Sequence, residues 1–535
     1  MSDSSFNLID EPWILVRDCN GTIREVSIGE LFSQLESIRE IVGELPTQAF
    51  AVFRTILAIV YRALEINTAE DWFEWYQDPQ GAQEEILDYL GAMHDRFDLR
   101  HPEYPFYQVA DVDWSKDSEN RLSSLIGDFP NRENKDWFIT RTIRTNTKIT
   151  WAEAARWLVY IQQYDGAGLH TGMKHKDGST ISGTSAAATW LGKHDGIFIE
   201  KSTLFETLMW NLVPPDQIYG SWSALDRNKS ADNDFPSWEV NESYDKEQAA
   251  KVSNAPAGII SLLTWQGRNV AFLGGERYVE RVIVSGRLPK IDTDDCSIET
   301  MSSWRFYNGS YGAYKFDSSV PIWRGLDALI MQIANSKHVL YKSILRPKYQ
   351  TAKVLEWARD LTDALGFKSS ILTVRVVGIR FSDSGQGSID NIVDDRVELP
   401  AEILGEENNE LALVVRDALG LIDKAGSQVY SLVSQIARTQ GLLPEDGKVR
   451  GENAKRTFYA SADADFRHWL RSVSSRSDLN TWKVQLLVHA RQVEENIAQT
   501  VPSAKILKIA KYIKWYRREI NKLLNTTQAA EQEVR

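Results

Sequence analysis

Two spacings of apolar residues alternate along the first 400 residues of the chain. Alternating apolar and polar positions, which predict β-strands, recur at residues 7–17, 23–28, 259–265, 270–273, 278–285 and 371–381. Apolar residues three and four apart, which predict helices, recur at residues 29–37, 46–64, 82–97, 150–161, 201–212, 326–336 and 351–365. Because the two patterns are interleaved, we predict a large mixed α/β domain at residues 1–400 and an α+β fold class overall.

After residue 400 the pattern is helical throughout. Apolar stripes recur at residues 409–440, 457–473, 481–498 and 503–524, separated by short connections that include a turn at 444–447. Helices of this length with short connections predict an up-down four-helix bundle at residues 401–535. The last helix carries isoleucines and Tyr516 on one side, and its opposite side is basic, with Lys508, Lys511, Lys514, Arg518 and Lys522. Such a stripe is either a solvated face or a contact for an anionic partner.

Composition narrows the class of protein. The chain has 535 residues, with 61 basic against 74 acidic side chains and a formal net charge of −13. This balance argues against a protein that coats nucleic acid with its whole surface, although a local basic face remains compatible with it. Two distant cysteines, Cys19 and Cys296, make neither a disulfide framework nor a zinc site, so we expect a reducing, cytoplasmic compartment.

Membrane insertion is not expected from the sequence. The N-terminus lacks the basic and apolar regions of a signal peptide. The most apolar helix, at residues 49–64, is interrupted by Arg54 and Arg62 and is too short to span a bilayer. We therefore predict that this helix is buried in the core and that the protein has no membrane partner.

The titratable residues do not form a catalytic pattern. His170 and His175 are five residues apart and lack the glutamate of a metalloprotease helix. His468 and His489 fall on bundle helices and are predicted to be partly buried polar residues. Three acids at 292–295 (Asp292, Asp294 and Asp295) would suit a two-metal nuclease, but they follow a proline in an apparent surface turn and have no identifiable partner. We expect no metal, no cofactor and no enzymatic activity.

Residues 137–172 combine a cationic loop, a helix and a glycine turn. The loop carries Arg141, Arg144 and Lys148 among threonines and contains no acid, and the helix ends at Asp165-Gly166-Ala167-Gly168. Glycine allows a positive φ and lets another backbone approach closely, because it has no Cβ. The segment is either an ordinary surface loop with a helix C-terminus, or a surface that accepts a phosphodiester backbone.

Three other segments are predicted to be irregular. Residues 173–184 are predicted to be a loop. Residues 216–255 are polar and turn-rich, which predicts a long surface excursion or a partly disordered insertion of unassigned role. The strand at 371–381 leads directly into a glycine-flanked turn at 382–388 with a single glutamine, Gln386, at its tip.

The order of several motifs resembles the large subunit of the type I-E CRISPR Cascade surveillance complex, the CasA family. The resemblance covers most of the chain and includes the C-terminal bundle. It rests on Asn7-Leu8-Ile9-Asp10 through Trp13-Ile14, on His101-Pro102 with Pro105-Phe106 and Gln108, on the glycine turn at 165–172, and on Leu263-Thr264-Trp265-Gln266. It implies a non-catalytic subunit that binds double-stranded target DNA and guide RNA, assembles with other Cascade subunits and helps recruit a helicase-nuclease in antiviral defence.

The resemblance also implies site residues. Such subunits recognise a protospacer-adjacent motif mainly from the minor groove and help to part the duplex for guide pairing. Their glycine loop corresponds to Gly166, Ala167 and Gly168, where Ala167 departs from the family's glycine, and their glutamine wedge corresponds to Gly385, Gln386 and Gly387. A gap-free comparison puts Val279 at the family's basic finger, so Arg277 or Arg281 would serve instead. Guide-RNA or subunit docking corresponds to Phe138, Arg141, Arg144 and Lys148, and the basic stripe of the last helix would guide DNA strands.

Two alternatives stay open at the level of sequence. The first is a metal-dependent nuclease that uses the acids at 292–295. The second is a structural scaffold in which Phe138 and its basic loop dock a protein. The preferred motif, and whether the effector nuclease is a separate protein or is fused to another subunit, do not follow from the residues.

Overall fold

The computed structural model describes residues 5–115, 122–127, 148–170, 172–182, 184–219, 234–240, 256–287, 298–330, 338–341, 344–367, 370–382, 389–404, 409–500 and 503–524. The chain divides into two compact units. The first unit comprises Met1–Lys315, Tyr341–Ala358 and Arg375–Asp394. The second comprises Phe316–Leu340, Arg359–Val374 and Asp395–Arg535, so it contains the helical bundle together with two segments that precede residue 400.

Ten α-helices precede the bundle in the described part of the chain. They are α1 (Ile28–Ser33), α2 (Pro46–Leu64), α3 (Ala69–Gln77), α4 (Pro79–Ala92), α5 (Trp151–Gln163), α6 (Trp190–Lys193), α7 (Leu204–Asn211), α8 (Pro215–Tyr219), α9 (Ile259–Leu263) and α10 (Lys353–Ala364). Short 3₁₀ turns lie at His94–Phe97, Leu122–Ser124, Ile322–Ala328 and Ala401–Leu404.

The strands form several small sheets. They are β1 (Ile14–Asp18), β2 (Ile23–Val26), β3 (Ile38–Ile41), β4 (Ile149–Thr150), β5 (Gly168–Leu169), β6 (Met173–Lys174), β7 (Thr180–Ser182), β8 (Ser185–Ala186), β9 (Gly196–Glu200), β10 (Arg268–Gly274), β11 (Tyr278–Gly286), β12 (Trp304–Tyr307), β13 (Ser310–Ala313), β14 (His338–Tyr341), β15 (Ile344–Pro347), β16 (Tyr349–Gln350), β17 (Ile371–Phe381) and β18 (Ile389–Pro400). The sheet orders are β2-β1-β3, β10-β11-β4, β13-β12-β16, β18-β17-β9, β14-β15, β5-β8 and β6-β7. The predicted α+β class is confirmed.

The N-terminal hairpin follows from its turn and its alternation. Ile14 pairs with Val26 in antiparallel register, and Gly21 in the turn has a φ of +90°, which favours glycine. Ser27 then caps α1 by accepting a hydrogen bond from the backbone N–H of Glu30. The predicted hairpin is confirmed.

Helix α2 is the central helix of the first unit. Pro46 occupies its first turn, where a missing N–H costs nothing. The helix is long and apolar enough to cross a membrane by length and composition, and 94% of its most apolar window is buried inside the structure. The prediction of a buried helix is confirmed.

Several predicted elements are wrong. Residues 259–263 form helix α9 instead of a strand, because Ser261 and Asp234 satisfy the backbone N–H groups of its first turn. The predicted loop at 173–184 contains the paired strands β6 and β7. In place of the start of the predicted helix at 326–336 the chain forms the 3₁₀ turn Ile322–Ala328, and residues 331–337 lie outside the described part.

The polar segment at 216–255 is partly packed into the core. Trp238 is buried and lies 5.2 Å from the ring of Phe97, and Glu239 forms an ion pair with Arg62 at 2.8 Å. The prediction of a surface excursion is therefore wrong for residues 234–240. Residues 220–233 and 241–255 lie outside the described part of the chain.

The second unit contains the predicted bundle. Its helices are α11 (Glu410–Thr439), α12 (Pro444–Ser472), α13 (Asp478–Thr500) and α14 (Ser503–Leu524). The predicted turn at 444–447 is wrong, because Pro444 occupies the first turn of α12. His489 is partly buried beside Asp465 as predicted, whereas His468 is exposed.

Acid should destabilise the first unit through His194. Burial lowers the pKa of His194 to about 4, and its Nδ1 lies 2.7 Å from the carbonyl oxygen of Trp190. Because the unfolded chain binds the proton more readily, this stabilisation is complete above pH 6.5 and is lost as the pH falls towards 4. We expect a loss of about 2 kcal/mol between pH 7 and pH 5.

Urea denaturation at the two pH values measures this effect. His194→Asn, which keeps a donor for the Trp190 carbonyl, should show a smaller pH dependence than the unmodified chain. The exposed His468→Asn should behave like the unmodified chain. An equal pH dependence in the His194 variant would contradict the assignment.

Candidate nucleic-acid interface

The glycine turn follows helix α5 directly. Thr150 caps the start of the helix by accepting a hydrogen bond from the backbone N–H of Glu153, as predicted. At the other end Gly166 is buried, Ala167 is exposed and Gly168 is partly exposed. Neither glycine has a positive φ. The turn therefore does not use the left-handed backbone that glycine allows, and the absence of a Cβ is the remaining property of these glycines.

The buried Arg268 holds the backbone of the glycine turn in place. The side chain of Arg268 is 3% exposed and donates from Nε to the carboxylate of Asp165. Its Nη2 donates to the carbonyl oxygens of Gly166 at 2.9 Å and Ala187 at 2.8 Å. The planar guanidinium thus holds three groups of one loop cluster in fixed geometry.

Thr189 also holds the glycine turn in place through hydrogen bonds. Its hydroxyl accepts a hydrogen bond from the backbone N–H of Asp165 at 2.6 Å and donates to the carbonyl oxygen of Gln163 at 2.6 Å. The backbone N–H of Thr189 in turn donates to the carbonyl oxygen of Asp165 at 2.9 Å. These hydrogen bonds therefore fix the backbone conformation of the glycine turn.

Beyond the turn, the backbone forms a short two-stranded ribbon. Gly168 pairs with Ala186 and Leu169 with Ser185 in antiparallel register. A Cβ on Gly168 would meet no atom within 4 Å, and the side chain of Leu169 is 85% exposed. Nothing inside the described structure therefore requires glycine at position 168.

His170 ends this ribbon beside the turn. Its Nε2 lies 3.3 Å from the carboxylate of Asp165, and the side chain is mostly buried. Burial lowers the pKa of His170, Asp165 opposes that shift, and the charge of Arg268 reinforces it. The imidazole is therefore predominantly neutral at pH 7, and the fixed positive charge at the turn is Arg268.

The strand that leads to the glutamine turn ends close to the glycine turn. A Cβ on Gly192 of α6 would lie 2.9 Å from the carbonyl oxygen of Asp165 and 3.3 Å from Cε2 of Phe381. Phe381 is the last residue of β17, and β18 begins again at Ile389. Segments far apart in sequence thus meet at α6. Gly385, Gln386 and Gly387 themselves lie outside the described residues.

The proposed finger residues lie in the sheet β10-β11-β4. Val279 is buried, so a basic residue at that position would not be exposed. Arg277 is exposed in the turn before β11, whereas Arg281 donates to the carbonyl oxygen of Trp114 at 3.1 Å. Lys148 immediately precedes the neighbouring strand β4, and its ammonium lies 4.3 Å from the ring centroid of Tyr278. Arg277 and Lys148 therefore lie at the same end of this sheet.

The other end of β11 adjoins the glycine turn. Gly286 pairs with Arg268, and a Cβ on Gly286 would lie 2.7 Å from the carbonyl oxygen of Ser185. From Tyr278 to Gly286 the strand extends about 27 Å. Arg287 therefore lies beside the glycine turn, far from Arg277, and its Nη1 donates to Oε1 of Gln266 at 3.0 Å. The sequence did not single out Arg287, although Gln266 belongs to a motif that carries the resemblance.

The remaining predicted residues divide into two groups. Phe138, Arg141 and Arg144 lie outside the described residues, as do Asp292, Asp294 and Asp295. The five predicted basic residues of the stripe on α14 are exposed in the second unit, while Ile509, Tyr516 and Ile520 are buried. Arg518 forms an ion pair with Glu519 at 3.3 Å. The stripe therefore has the predicted amphipathic arrangement.

The described residues include no group of three or more His, Cys, Asp or Glu side chains that could hold a metal ion. The fold and the site together define an α+β protein with small sheets, an exposed and firmly held glycine turn, and a C-terminal helical bundle.

Comparison with known proteins identifies the family. The family model described as CRISPR-associated protein Cse1 matches residues 7–493. A CasA/Cse1 protein from Thermus thermophilus is 27% identical over 501 residues, which is 90% of each chain. The Thermobifida fusca Cse1 structure matches with a TM-score of 0.82 and 27% identity over 98% of both chains. A chain of a CRISPR RNA-guided surveillance complex matches with a TM-score of 0.72 and 17% identity over 96% of this chain and 99% of that one.

The chain belongs to the CRISPR-associated protein Cse1 family. The predicted resemblance to the CasA family, the large subunit of the type I-E Cascade complex, is confirmed.

Proposed function

We propose that this chain is a non-catalytic subunit of an RNA-guided DNA surveillance complex. In this proposal the glycine turn reads a protospacer-adjacent motif in double-stranded DNA from the minor groove, and the glutamine turn helps to open the duplex for guide pairing. Guide RNA, other Cascade subunits and a recruited helicase-nuclease are its partners. The observation that carries the proposal is the approach of Asp165 and Phe381 to the same glycine of α6.

The minor groove suits a glycine turn. It is about 6 Å wide and distinguishes mainly A·T from G·C pairs, so a reader needs a thin backbone more than a set of long side chains. The side-chain position of Gly168 faces open space while Arg268 and Thr189 hold the backbone behind it. This backbone is already fixed by hydrogen bonds on one side and carries no side chain on the other. It can therefore approach the floor of the groove without first becoming ordered.

The glutamine turn suits the opening step. The strand that precedes it, β17, is mostly buried, so the chain enters residues 383–388 from a packed strand. A glutamine side chain has two donors and an acceptor and can replace hydrogen bonds that a parted base pair loses. Unstacking one step costs about a few kcal/mol. The subsequent exchange of DNA pairing for guide pairing is nearly balanced, so the protein has to supply only the first step.

The basic side chains of the bundle would attract DNA independently of its base sequence. Lys508, Lys514 and Lys522 are exposed on α14 and form no ion pair with any residue that the structure describes. Basic side chains of this kind bind phosphates and weaken in salt. We propose that the stripe guides a DNA strand and carries no preference for sequence.

We further propose Arg287 as the basic residue that accompanies the glycine turn. Arg287→Ala should weaken binding of a motif-bearing duplex and lower its salt dependence by about one ion, because one phosphate contact is lost. Arg277→Ala is the matched control, since it removes the same side chain at the far end of β11. Duplex titrations of the reconstituted complex over a range of salt measure both variants.

The same assay tests the proposed function as a whole. Gln386→Ala should weaken target binding while assembly of the complex is retained. If motif-bearing and scrambled duplexes bind equally well to the unmodified complex, the proposed reading function is wrong. If Arg277→Ala has the larger effect, the finger belongs to the hairpin turn and not to Arg287.

A further inference from the structure

The sheet β13-β12-β16 has one buried face and one open face. Trp304 and Phe306 are buried, and Trp304 lies 5.1 Å from the ring of His194. The alternate residues Arg305 and Tyr307 are exposed, and the side chain of Tyr307 is 67% exposed. An aromatic ring this exposed at the end of a strand is unusual in the first unit and contributes nothing to its core.

The residues opposite Arg305 and Tyr307 in the sheet do not cover these two side chains. Tyr307 is opposite Ser310, and Arg305 is opposite Gly312, where a Cβ would meet no atom within 4 Å. On its other side Arg305 is opposite Tyr349, which the ammonium of Lys348 approaches to 5.1 Å from the ring centroid. The open face therefore presents the exposed ring of Tyr307 and the half-buried ring of Tyr349, which also contacts Tyr314 edge-on at 5.4 Å between ring centroids. Two cations, Arg305 and Lys348, lie beside these rings, over the small residues Ser310 and Gly312.

Neither exposed side chain is engaged by the residues that the structure describes. Arg305 forms no ion pair, and Tyr307 makes no ring contact, with any residue that the structure describes. The hairpin turn beneath Tyr307 is defined by Asn308 and Gly309, which have φ values of 51° and 98° and thus suit the tight turns of hairpins. The ring is consequently presented on a well-defined backbone.

This combination favours a single-stranded nucleic acid as the ligand. Exposed rings stack on bases of any sequence, and adjacent cations follow the phosphates. A duplex hides its base faces, so it would use the cations but not the rings. An acidic protein segment would likewise leave the rings without a defined role.

The sheet is connected to Gly192, the residue of α6 that both the glycine turn and the end of β17 approach. Lys315, just beyond β13, donates to the carbonyl oxygens of Gly192 at 2.9 Å and Ile379 at 3.4 Å. Gly192 is the residue that lies against both Asp165 and Phe381. Ser310, the partner of Tyr307, is about 17 Å from Lys315 along an extended chain. A strand released at the turns would reach the open face over a short distance.

We propose that the open face carrying Arg305, Tyr307 and Tyr349 is a stacking platform for the DNA strand displaced when the duplex opens. The identity of the strand rests on the proposed function, whereas binding of single-stranded DNA by this face does not. The platform would hold the displaced strand away from its complement and so slow reclosure of the duplex.

Fluorescence anisotropy of the full chain with labelled oligodeoxythymidylate of about 15 nucleotides tests the platform. Tyr307→Ala should weaken binding at least about fivefold, because stacking on one ring is lost. Tyr307→Phe, which keeps the ring, should bind like the unmodified chain. Ile23→Ala and Arg39→Ala are matched controls, since they remove an exposed apolar group and an exposed cation from the N-terminal sheet of the same unit.

Other outcomes overturn the proposal in distinguishable ways. Equal binding by Tyr307→Ala and the unmodified chain removes the platform. Tighter binding of an RNA of matched sequence assigns the face to guide RNA, and a defect in complex assembly with normal DNA binding assigns it to a protein. Gly168→Asp should leave single-strand binding intact, so failure of motif reading and failure of the platform are separable.

Discussion

Gly168→Asp should weaken binding of a motif-bearing duplex by roughly tenfold or more, with little change in protein stability. The added side chain would point into open space, because no atom lies within 4 Å of a Cβ at this position. Against DNA it would place a Cβ and a carboxylate where we propose that the backbone enters the groove. Both steric exclusion and repulsion of phosphates oppose binding.

Gly91→Asp is the matched control. Gly91 lies on the exposed side of α4 in the same unit, and a Cβ there also meets no atom within 4 Å. The two variants have the same change in charge, so a general electrostatic effect would weaken both. Gel shifts with motif-bearing and scrambled duplexes, together with thermal unfolding, separate the cases. Unchanged motif affinity in Gly168→Asp would remove the glycine turn from the interface.

Arg54→Met should destabilise the first unit by about 3–5 kcal/mol. Arg54 and Glu299 form a bidentate pair, with both nitrogen–oxygen distances at 3.0 Å and side-chain exposures of 0% and 1%. Burial alone would raise the pKa of Glu299, and Arg54 more than offsets this, so the carboxyl has a lowered pKa. Removing the arginine leaves a buried negative charge without its partner.

The effect should extend to the candidate interface. Glu299 also accepts a hydrogen bond from Nε1 of Trp190 at 2.6 Å, and Trp190 begins the helix that contains Gly192. Urea denaturation measures the loss of stability, and amide exchange at residues 189–193 reports the local effect. The combination of Arg54→Met with Glu299→Leu should recover part of the stability, because no unpaired charge remains.

Arg17→Met provides the comparison for a surface pair. Arg17 also contacts a glutamate, Glu40, but its side chain is 41% exposed. Solvent screens this pair, so we expect a change within about 1 kcal/mol. Similar losses for Arg17→Met and Arg54→Met would contradict the importance assigned to burial.

Elements with a strong local pattern were predictable. The strand at 371–381 has the predicted bounds, since a long run of β-branched residues favours strand without help from elsewhere. Helix α5 begins after Thr150 because its hydroxyl satisfies a first-turn N–H, and this is visible in the residue type. The four bundle helices were found for a similar reason, because their apolar stripes are long.

Short apolar runs were not predictable in the same way. Residues 259–263 suit a strand or a helix, and the choice depends on Asp234, whose carboxylate accepts the backbone N–H groups of Ile260 and Ser261. Asp234 lies in a polar stretch that the sequence alone assigned to the surface. No local pattern connects it to the helix it caps.

By itself, the sequence determined the α+β class, the bundle, the amphipathic last helix and the family, because periodicity and ordered motifs are local properties of the chain. Only the tertiary structure decided that Arg268 supports the glycine turn, that Arg287 lies beside it and Arg277 far from it, and that β17 ends near α6. These relations join residues about a hundred or more positions apart. They depend on how strands pair and helices pack, and periodicity within a segment contains no information about its distant partners.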